Sequence, residues 1–381
     1  MKIYQVNNIK DRSKFLKNLQ VHGGGVSIMA KKMELLTFYI KDLKTPAVNI
    51  LKQDSLSIGA ELATPSGVII CEKDRYDCLL IGTRKHIEIL AKKELSQPFG
   101  LKQLALELQK FLKVKDDKIK IMGIINANDD SFFSGSRFMD RDAIKEIEKM
   151  IAEGADIIDI GAVSSRPNAD EVLEEVELKR IKPICDAIKS KKLYERVSFS
   201  IDSYTPLVIE YALKSGFNLV NDITGASNSE VIKLAIKYGA KLCIMHMQGT
   251  PQTMQDNPYY DDIMVEVSDF FEDRIDKCES LGMRRDDIIL DVGIGFGKTL
   301  EHNLTLIRNM KHFKKFGCEI LVGASRKSMI DKIIHTPISE RLSGTLAIHL
   351  KSISNGGASI IRCHDIKEHV QAISVWESLS I

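Results

Sequence analysis

Residues 119–126 read Ile-Lys-Ile-Met-Gly-Ile-Ile-Asn, a short β-branched, apolar run that ends on an amide side chain. Such a run, too short for a helix of useful length, predicts a buried strand. The residues after it, Ala127-Asn-Asp-Asp-Ser-Phe132, lack the glycine spacing that a doubly wound nucleotide-binding sheet places after its first strand. The same texture returns at 156–162, 197–202, 219–223, 242–247, 288–292, 320–324 and 359–362. Between these runs lie amphipathic stretches with helical spacing, among them 140–152, 171–189, 261–281 and 340–354. Eight strand-like runs alternating with helix-like ones over about 260 residues predict a (β/α)8 TIM barrel, of the α/β class, at 116–381. A doubly wound open sheet is the rival architecture.

Residues 1–115 have a different texture and predict a small α+β domain. Strands are expected at 33–40, 67–71 and 77–82, and helices at 85–93 and 101–113. Leu101, Leu104, Leu108, Phe111 and Leu112 share one stripe of the last helix. His22-Gly-Gly-Gly25 reads as a flexible turn. No chemical motif stands out in this region, and its role is unassigned.

Composition narrows the function. The chain has 381 residues, 44% hydrophobic and 28% charged, a globular balance that argues against disorder. Its 54 Lys and Arg against 52 Asp and Glu leave +2, so no bulk charge draws it to nucleic acid or an anionic membrane. No apolar run approaches the ~18–20 residues needed to cross a bilayer. The first residues lack the apolar core of a secretory signal, so a cytoplasmic protein is expected. The 7 cysteines are odd in number and form no Cys-x-x-Cys pair. That argues against a disulfide framework or a structural zinc, and predicts buried, reduced thiols.

In a barrel of this type the C-terminal ends of the strands build the active site. Here those ends carry Asn126, Asp159 with Ser164-Ser165-Arg166-Pro167, Asp202, Asn221-Asp222, His246, Asp291, Ser325-Arg326-Lys327-Ser328 and Arg362-Cys363-His364. One late Asp in a strand is as well explained by capping the next helix. Five or more such residues on one rim are not. Arg362 and His364 alternate onto one strand face, and with Arg166 they suit an anion. Gly293-Ile-Gly-Phe-Gly-Lys298-Thr299 imitates a phosphate-binding loop, but Val292 stands where its first glycine belongs. Those glycines are expected to let a loop pass close to a ligand. No histidine cluster with metal-ligand spacing occurs on the rim.

Read in order, the rim segments closely resemble the dihydropteroate synthase family of pterin-binding (β/α)8 barrels. The carrying segments are 122–132, 159–167, 200–204, 221–223, 245–251, 291–298, 323–328 and 362–365, within about seventy per cent of the chain. Three departures stand out: Asn128-Asp129 in loop one, Val163 in place of a loop-two carboxylate, and Val292 for the usual proline. The resemblance implies condensation of 6-hydroxymethyl-7,8-dihydropterin pyrophosphate with p-aminobenzoate, yielding 7,8-dihydropteroate and pyrophosphate in folate biosynthesis. It places the pterin against Asp159, Asp202, Asn221, Met245, Asp291 and Lys327. Ser165, Arg166, Arg362 and His364 would hold the pyrophosphate, with Mg²⁺ at Asn126. The implied p-aminobenzoate site is Phe132, Pro167, Lys327 and Ser328, where sulfonamides would compete. An SN1-like route is implied, with Mg-pyrophosphate leaving and Asp130 shielding the pterin cation from water. The implied catalytic set is therefore Asp130, Lys327, Arg362 and His364. Family members pair through late barrel helices, so Leu346, Leu350 and Ile353 are the expected stripe of a possible homodimer. Two other readings share the pterin pocket: a methyltetrahydrofolate-binding methyl-transfer barrel, and a non-catalytic pterin binder.

Overall fold

The computed structural model describes residues 1–4, 6, 9, 11–114, 118–127, 141–163 and 172–379. The chain divides into two compact units, residues 1–114 with 377–381, and residues 115–376.

The first unit runs α1 (Arg12–Asn18), α2 (Gly23–Lys32), β1 (Leu35–Lys44), α3 (Thr45–Ser57), β2 (Glu61–Ala63), β3 (Arg75–Thr83), α4 (Arg84–Lys93) and α5 (Leu101–Leu112). Its three strands form an antiparallel sheet in the order β1-β3-β2. Strand β3 alternates, burying Tyr76, Cys78 and Leu80 beside Leu51, Leu62, Ile87, Leu90 and Leu101. The α5 stripe behaves as its spacing predicts. Leu101 and Leu108 are buried, Leu104 and Leu112 pack on the same core, and Phe111 meets Phe38 edge-on at 5.2 Å. Two expectations fail here. His22-Gly-Gly-Gly25 is no loose turn, because His22 precedes α2 and its carbonyl accepts from the Gly25 and Val26 N–H groups. The expected strand at 67–71 is instead a 3₁₀ turn at Ser66–Val68, followed by exposed Ile69 and Ile70. Pro65-Ser66-Gly67 sets that turn, and an apolar pair alone does not make a strand.

The second unit holds a closed parallel barrel: β4 (Lys120–Asn126), β5 (Ile157–Gly161), β6 (Ser198–Asp202), β7 (Leu219–Asp222), β8 (Lys241–Met245), β9 (Ile288–Asp291), β10 (Glu319–Val322) and β11 (Ile360–Cys363). Each of the eight predicted runs forms one of these strands. Around them lie α6 (Arg141–Glu153), α7 (Glu174–Ser190), α8 (Pro206–Lys214), α9 (Ser229–Tyr238), α10 (Ile263–Ser280), α11 (Leu300–Arg308), α12 (Ser328–Ile333), α13 (Leu342–Ser354) and α14 (Ile366–Leu379).

Strand alternation explains why each strand is apolar almost throughout. Outward residues such as Ile125, Ile158, Phe199, Val220, Leu242, Leu290, Ile320 and Ile361 pack against the helices in one large core. Inward residues Met122, Ile157, Leu219, Cys243, Ile289, Leu321 and Ile360 make a separate apolar plug inside the barrel. At the N-terminal end of the strands, Glu319 accepts from Lys120 at 2.6 Å and also from Lys241. Toward the other end the inward positions become polar, and that switch makes the site.

All seven cysteines are free among the described residues, and six are buried; Cys71 is exposed, contrary to expectation. Ile353 belongs to the barrel core and Leu350 packs onto it, while Leu346 is half-buried on the same helix. No helix among the described residues is long and apolar enough to cross a membrane.

Candidate active site

One layer beyond the apolar plug, the inward positions are Ile124, Asp159, Ser200, Asn221, Met245, Asp291, Gly323 and Arg362. The register aligns them: Ile124 with Asp159, Asp159 with Ser200, and Met245 with Asp291 are Cα partners. One step further, Asn126, Asp202 and His364 line the mouth. Alternation thus brings to one wall residues that lie more than two hundred positions apart.

Arg362 ties this wall together. Its Nε donates to Asp159 Oδ2 at 2.7 Å and its Nη2 to Asp202 Oδ2 at 2.8 Å. Asn221 Nδ2 donates to the same Asp159 oxygen at 3.0 Å. Burial works against the Arg362 charge, but Asp159 and Asp202 hold the guanidinium more firmly protonated than usual. Burial and neighbouring Asp159 push Asp202 upward, against the pull of Arg362. Asp159 Oδ1 and Ser200 Oγ are buried without a hydrogen-bond partner. A buried acceptor left in that state costs ~1–3 kcal/mol, so this pocket is built to receive an N–H donor. The sequence reading assigned Arg362 to an anion only; the structure also makes it the partner of the acidic wall.

Across the mouth, burial pushes Asp291 upward, while Lys327 and the Gly293 N–H, 2.7 Å from Oδ1, oppose that shift. Lys327 donates to the Ile294 carbonyl, and its Nζ lies 4.1 Å from the Phe296 ring centroid. Burial brings its amine down to about 7, against the pull of Asp291. The glycines of 293–297 do allow close approach, but to the chain itself. A Cβ at Gly293, whose φ is +66°, would meet the His246 carbonyl at 2.0 Å, and one at Gly295 would meet Lys327 at 3.2 Å.

His364 Nδ1 lies 2.8 Å from Ser325 Oγ, and burial brings its ring down to about 4, so it is neutral near pH 7. Arg362 lies on β11, whereas His364 follows the strand's end at Cys363, so strand alternation does not carry the expected shared face. Asp222 and His246 turn away from this wall. Asp222 accepts from the Thr224 and Ala226 N–H groups and closes a turn. His246 Nδ1 pairs with buried Lys298 Nζ at 2.9 Å, and Lys298 also donates to the Phe296 carbonyl at 2.8 Å. Ser328 is exposed as the first residue of α12. Asp130, Phe132, Ser165, Arg166 and Pro167 lie outside the described residues.

Sequence reasoning missed Lys298 and the Arg326–Asp365 ion pair, whose Nε–Oδ2 and Nη2–Oδ1 distances are 3.1 and 2.7 Å. A lone lysine beyond glycines reads as solvated, and no local signal marks it as buried. Arg326 and Asp365 stand inside motif segments and could have been paired on charge alone.

For a metal, the described residues hold no group of three or more His, Cys, Asp or Glu able to cage one. Asn126 offers a single amide oxygen at the end of β4. That donor set fits Mg²⁺, which keeps waters and takes its other oxygens from substrate phosphates.

Residues 122–364 match the family of pterin binding enzymes. Over 361 residues the chain is 41% identical to the bifunctional dihydropteroate synthase/dihydropteroate reductase of Helicobacter pylori, covering 94% of this chain and 92% of that one. It is 43% identical over 259 residues to the dihydropteroate synthase of Escherichia coli K12, covering 68% of this chain and 90% of the relative. The crystal structure of the Yersinia pestis dihydropteroate synthase with a sulfonamide drug superposes with a TM-score of 0.65 at 36% identity, covering 69% of this chain and 94% of that one. With the barrel, the acidic wall and these likenesses together, the chain belongs to the pterin-binding enzyme family, among its dihydropteroate synthases.

Proposed function

We propose that the mouth of this barrel condenses 6-hydroxymethyl-7,8-dihydropterin pyrophosphate with p-aminobenzoate, releasing 7,8-dihydropteroate and pyrophosphate. The observation that carries this reading is the buried acceptor pair Asp159 Oδ1 and Ser200 Oγ beside Asp202 and Asn221. A pterin's aminopyrimidine edge supplies the N–H donors such a wall lacks. Asp159, Asp202, Asn221 and Asp291 bind that edge, Met245 packs on the ring, and Lys327 turns from Ile294 to the pterin carbonyl. Arg362 and His364, with Ser165 and Arg166, take the pyrophosphate. With the Ser325 hydroxyl donating to Nδ1, the neutral His364 ring carries its proton on Nε2, ready for a phosphate oxygen.

The C–O bond breaks first, and its electrons leave with the pyrophosphate. Arg362 and His364 contacts tighten as that charge grows. Bound at Asn126, Mg²⁺ would neutralise part of it. Asp130 and its loop exclude water from the pterin cation until the arylamine attacks. Phe132 and Pro167 flank the arylamine ring with Lys327, and Ser328 receives the carboxylate. A sulfonamide of matching shape competes there, in line with the Yersinia pestis complex. A cytoplasmic location fits the free thiols, and two copies would pair through the late barrel helices. Turnover with labelled p-aminobenzoate tests the reading. Formation of labelled dihydropteroate with stoichiometric pyrophosphate is expected; pterin binding without product would leave only a pterin binder.

A second activity has one specific support. The alignment to the bifunctional Helicobacter pylori enzyme covers 94% of this chain, against 68% for the Escherichia coli synthase. We infer that the first unit serves reduction of 7,8-dihydropteroate to the tetrahydro form. A hydride from a reduced nicotinamide or flavin adds to the C=N carbon and a proton to its nitrogen. Incubating the full chain with dihydropteroate and each donor class should yield tetrahydropteroate; no product with either donor would remove this reading.

A further inference from the structure

Two histidines outside the site, His349 on α13 and His369 on α14, are both buried. Their hydrogen bonds form one directed chain. The Ala324 N–H donates to His349 Nε2 at 3.1 Å. That leaves the proton of a neutral His349 on Nδ1, which faces His369 Nε2 at 2.8 Å. His369 must then carry its own proton on Nδ1, 2.6 Å from the Asp365 carbonyl. A backbone donor at one end and a backbone acceptor at the other fix both tautomers. Only the doubly neutral pair satisfies every atom, since an added proton on either ring sets donor against donor.

The chain joins two mouths. Ala324 lies in the segment after β10 that carries Ser325, Arg326 and Lys327, and Asp365 lies in the segment after β11, next to His364. On the opposite side the same segments are clamped by Ser325–His364 and by Arg326–Asp365. The β10 segment needs holding, because Arg326 sits at φ +55°, which non-glycine residues rarely adopt. Helix α13 holds it with two side chains four residues apart on one face. Thr345 Oγ1 accepts from the Arg326 N–H at 2.9 Å, and His349 accepts from Ala324.

We propose that His349 and His369 are positioning residues for the anion site, locking Ser325 and His364 at the separation a pyrophosphate requires. This rests on assigning the anion to Arg362 and His364. The surroundings suit a neutral pair. His369, Lys327 and His364 all act on His349 against a positive charge, and burial holds it well below the ordinary range. His369 faces Asp365 and Glu368, which favour its charge, yet burial still brings it down.

The test measures pyrophosphate and pterin-analogue affinity by calorimetry, with KM for each substrate, in His349→Leu, His349→Gln and His364→Ala. One lost positioning bond predicts about a fivefold loss of pyrophosphate affinity in His349→Leu, with KM for the pterin pyrophosphate rising similarly. Pterin-analogue affinity and KM for p-aminobenzoate should stay within about twofold, and glutamine, which accepts and donates, should restore most of the loss. Unchanged pyrophosphate affinity in His349→Leu, with His364→Ala weakened, overturns the positioning role alone. Unchanged affinity in His364→Ala overturns the anion assignment, and the positioning role with it. Equal loss of pterin and pyrophosphate in His349→Leu reports general disruption and also overturns the proposal. Should that variant fail to fold, imidazole ¹⁵N spectra of the unaltered protein decide: Nδ1–H on both rings is expected, and Nε2–H on either contradicts the chain.

Discussion

The two units bury very different interiors. Around Leu51, Leu80 and Leu90 the first unit is apolar, and among its described residues the one fully buried acid is Glu94. The barrel mouth gathers Asp159, Asp202 and Asp291 with Lys327 and Arg362 in one region. Removing a charge from water costs several kcal/mol unless it is paired. A fold needs few such groups, as the first unit demonstrates. Five at one mouth, acid set against base, suit a polar, charged ligand.

The largest expected effect breaks that balance. Arg362→Ala leaves Asp159 and Asp202 facing each other without their shared cation. Removing one partner of a buried pair destabilises by about 3–5 kcal/mol, so a clear fall in denaturation midpoint should accompany loss of turnover. Lost charge-assisted bonds to the leaving group cost about ten- to a hundredfold in rate. An Arg362→Ala protein of unaltered stability would show that the acidic wall does not depend on this cation.

Glu94 sharpens the contrast from the other side. Burial and nearby Asp54 push its carboxyl up to about 7, and neither oxygen has a hydrogen-bond partner. An acid raised on folding contributes its full stability below its unfolded value near 4.5 and loses it as pH rises through about 7. Glu94→Gln should therefore match the unaltered protein at pH 4 and exceed it at pH 8, by up to about 3 kcal/mol. Turnover should not change. Chemical denaturation at the two pH values measures this, and a pH-independent difference would refute it.

The smallest effect lies at the opposite end of the barrel. Lys120 and Lys241 hold the Glu319 carboxyl below its usual range despite burial. Glu319→Gln should cost about 1 kcal/mol at neutral pH. The difference should fade as pH drops below the ordinary carboxylate value, where the unfolded chain takes up its proton first. kcat and KM should hold, since conserving the C-terminal mouth conserves the chemistry. A change in KM would mean that the two ends of the barrel are coupled.

Much of this contrast was legible in the sequence. Eight β-branched runs at helix-separated intervals specified the barrel, because inward and outward faces of its strands are both buried and alternation leaves little polar noise. Strand-end positions of Asp202, Asn221, Asp291 and Arg362 followed from that same periodicity. Partner choice did not. Whether Arg362 turns to a carboxylate or an anion depends on side-chain rotamers across strands more than 150 residues apart. Lys298 with His246, and His349 with His369, are buried pairs whose members carry no periodic signal. In the first unit, short apolar stretches such as Ile69-Ile70 misled for the opposite reason: local composition was strand-like, but Pro65-Ser66-Gly67 set a turn.

Asp291 offers the most direct test that the charged mouth is the pterin site. It is buried at the end of β9, opposite Lys327, and among the described residues its side chain accepts from the nearby Gly293 N–H. Calorimetry of a pyrophosphate-free pterin analogue with Asp291→Ala should show affinity reduced about tenfold or more, since an unsatisfied N–H donor costs ~1–3 kcal/mol. Unchanged affinity in a folded Asp291→Ala protein would place the pterin elsewhere and contradict the account.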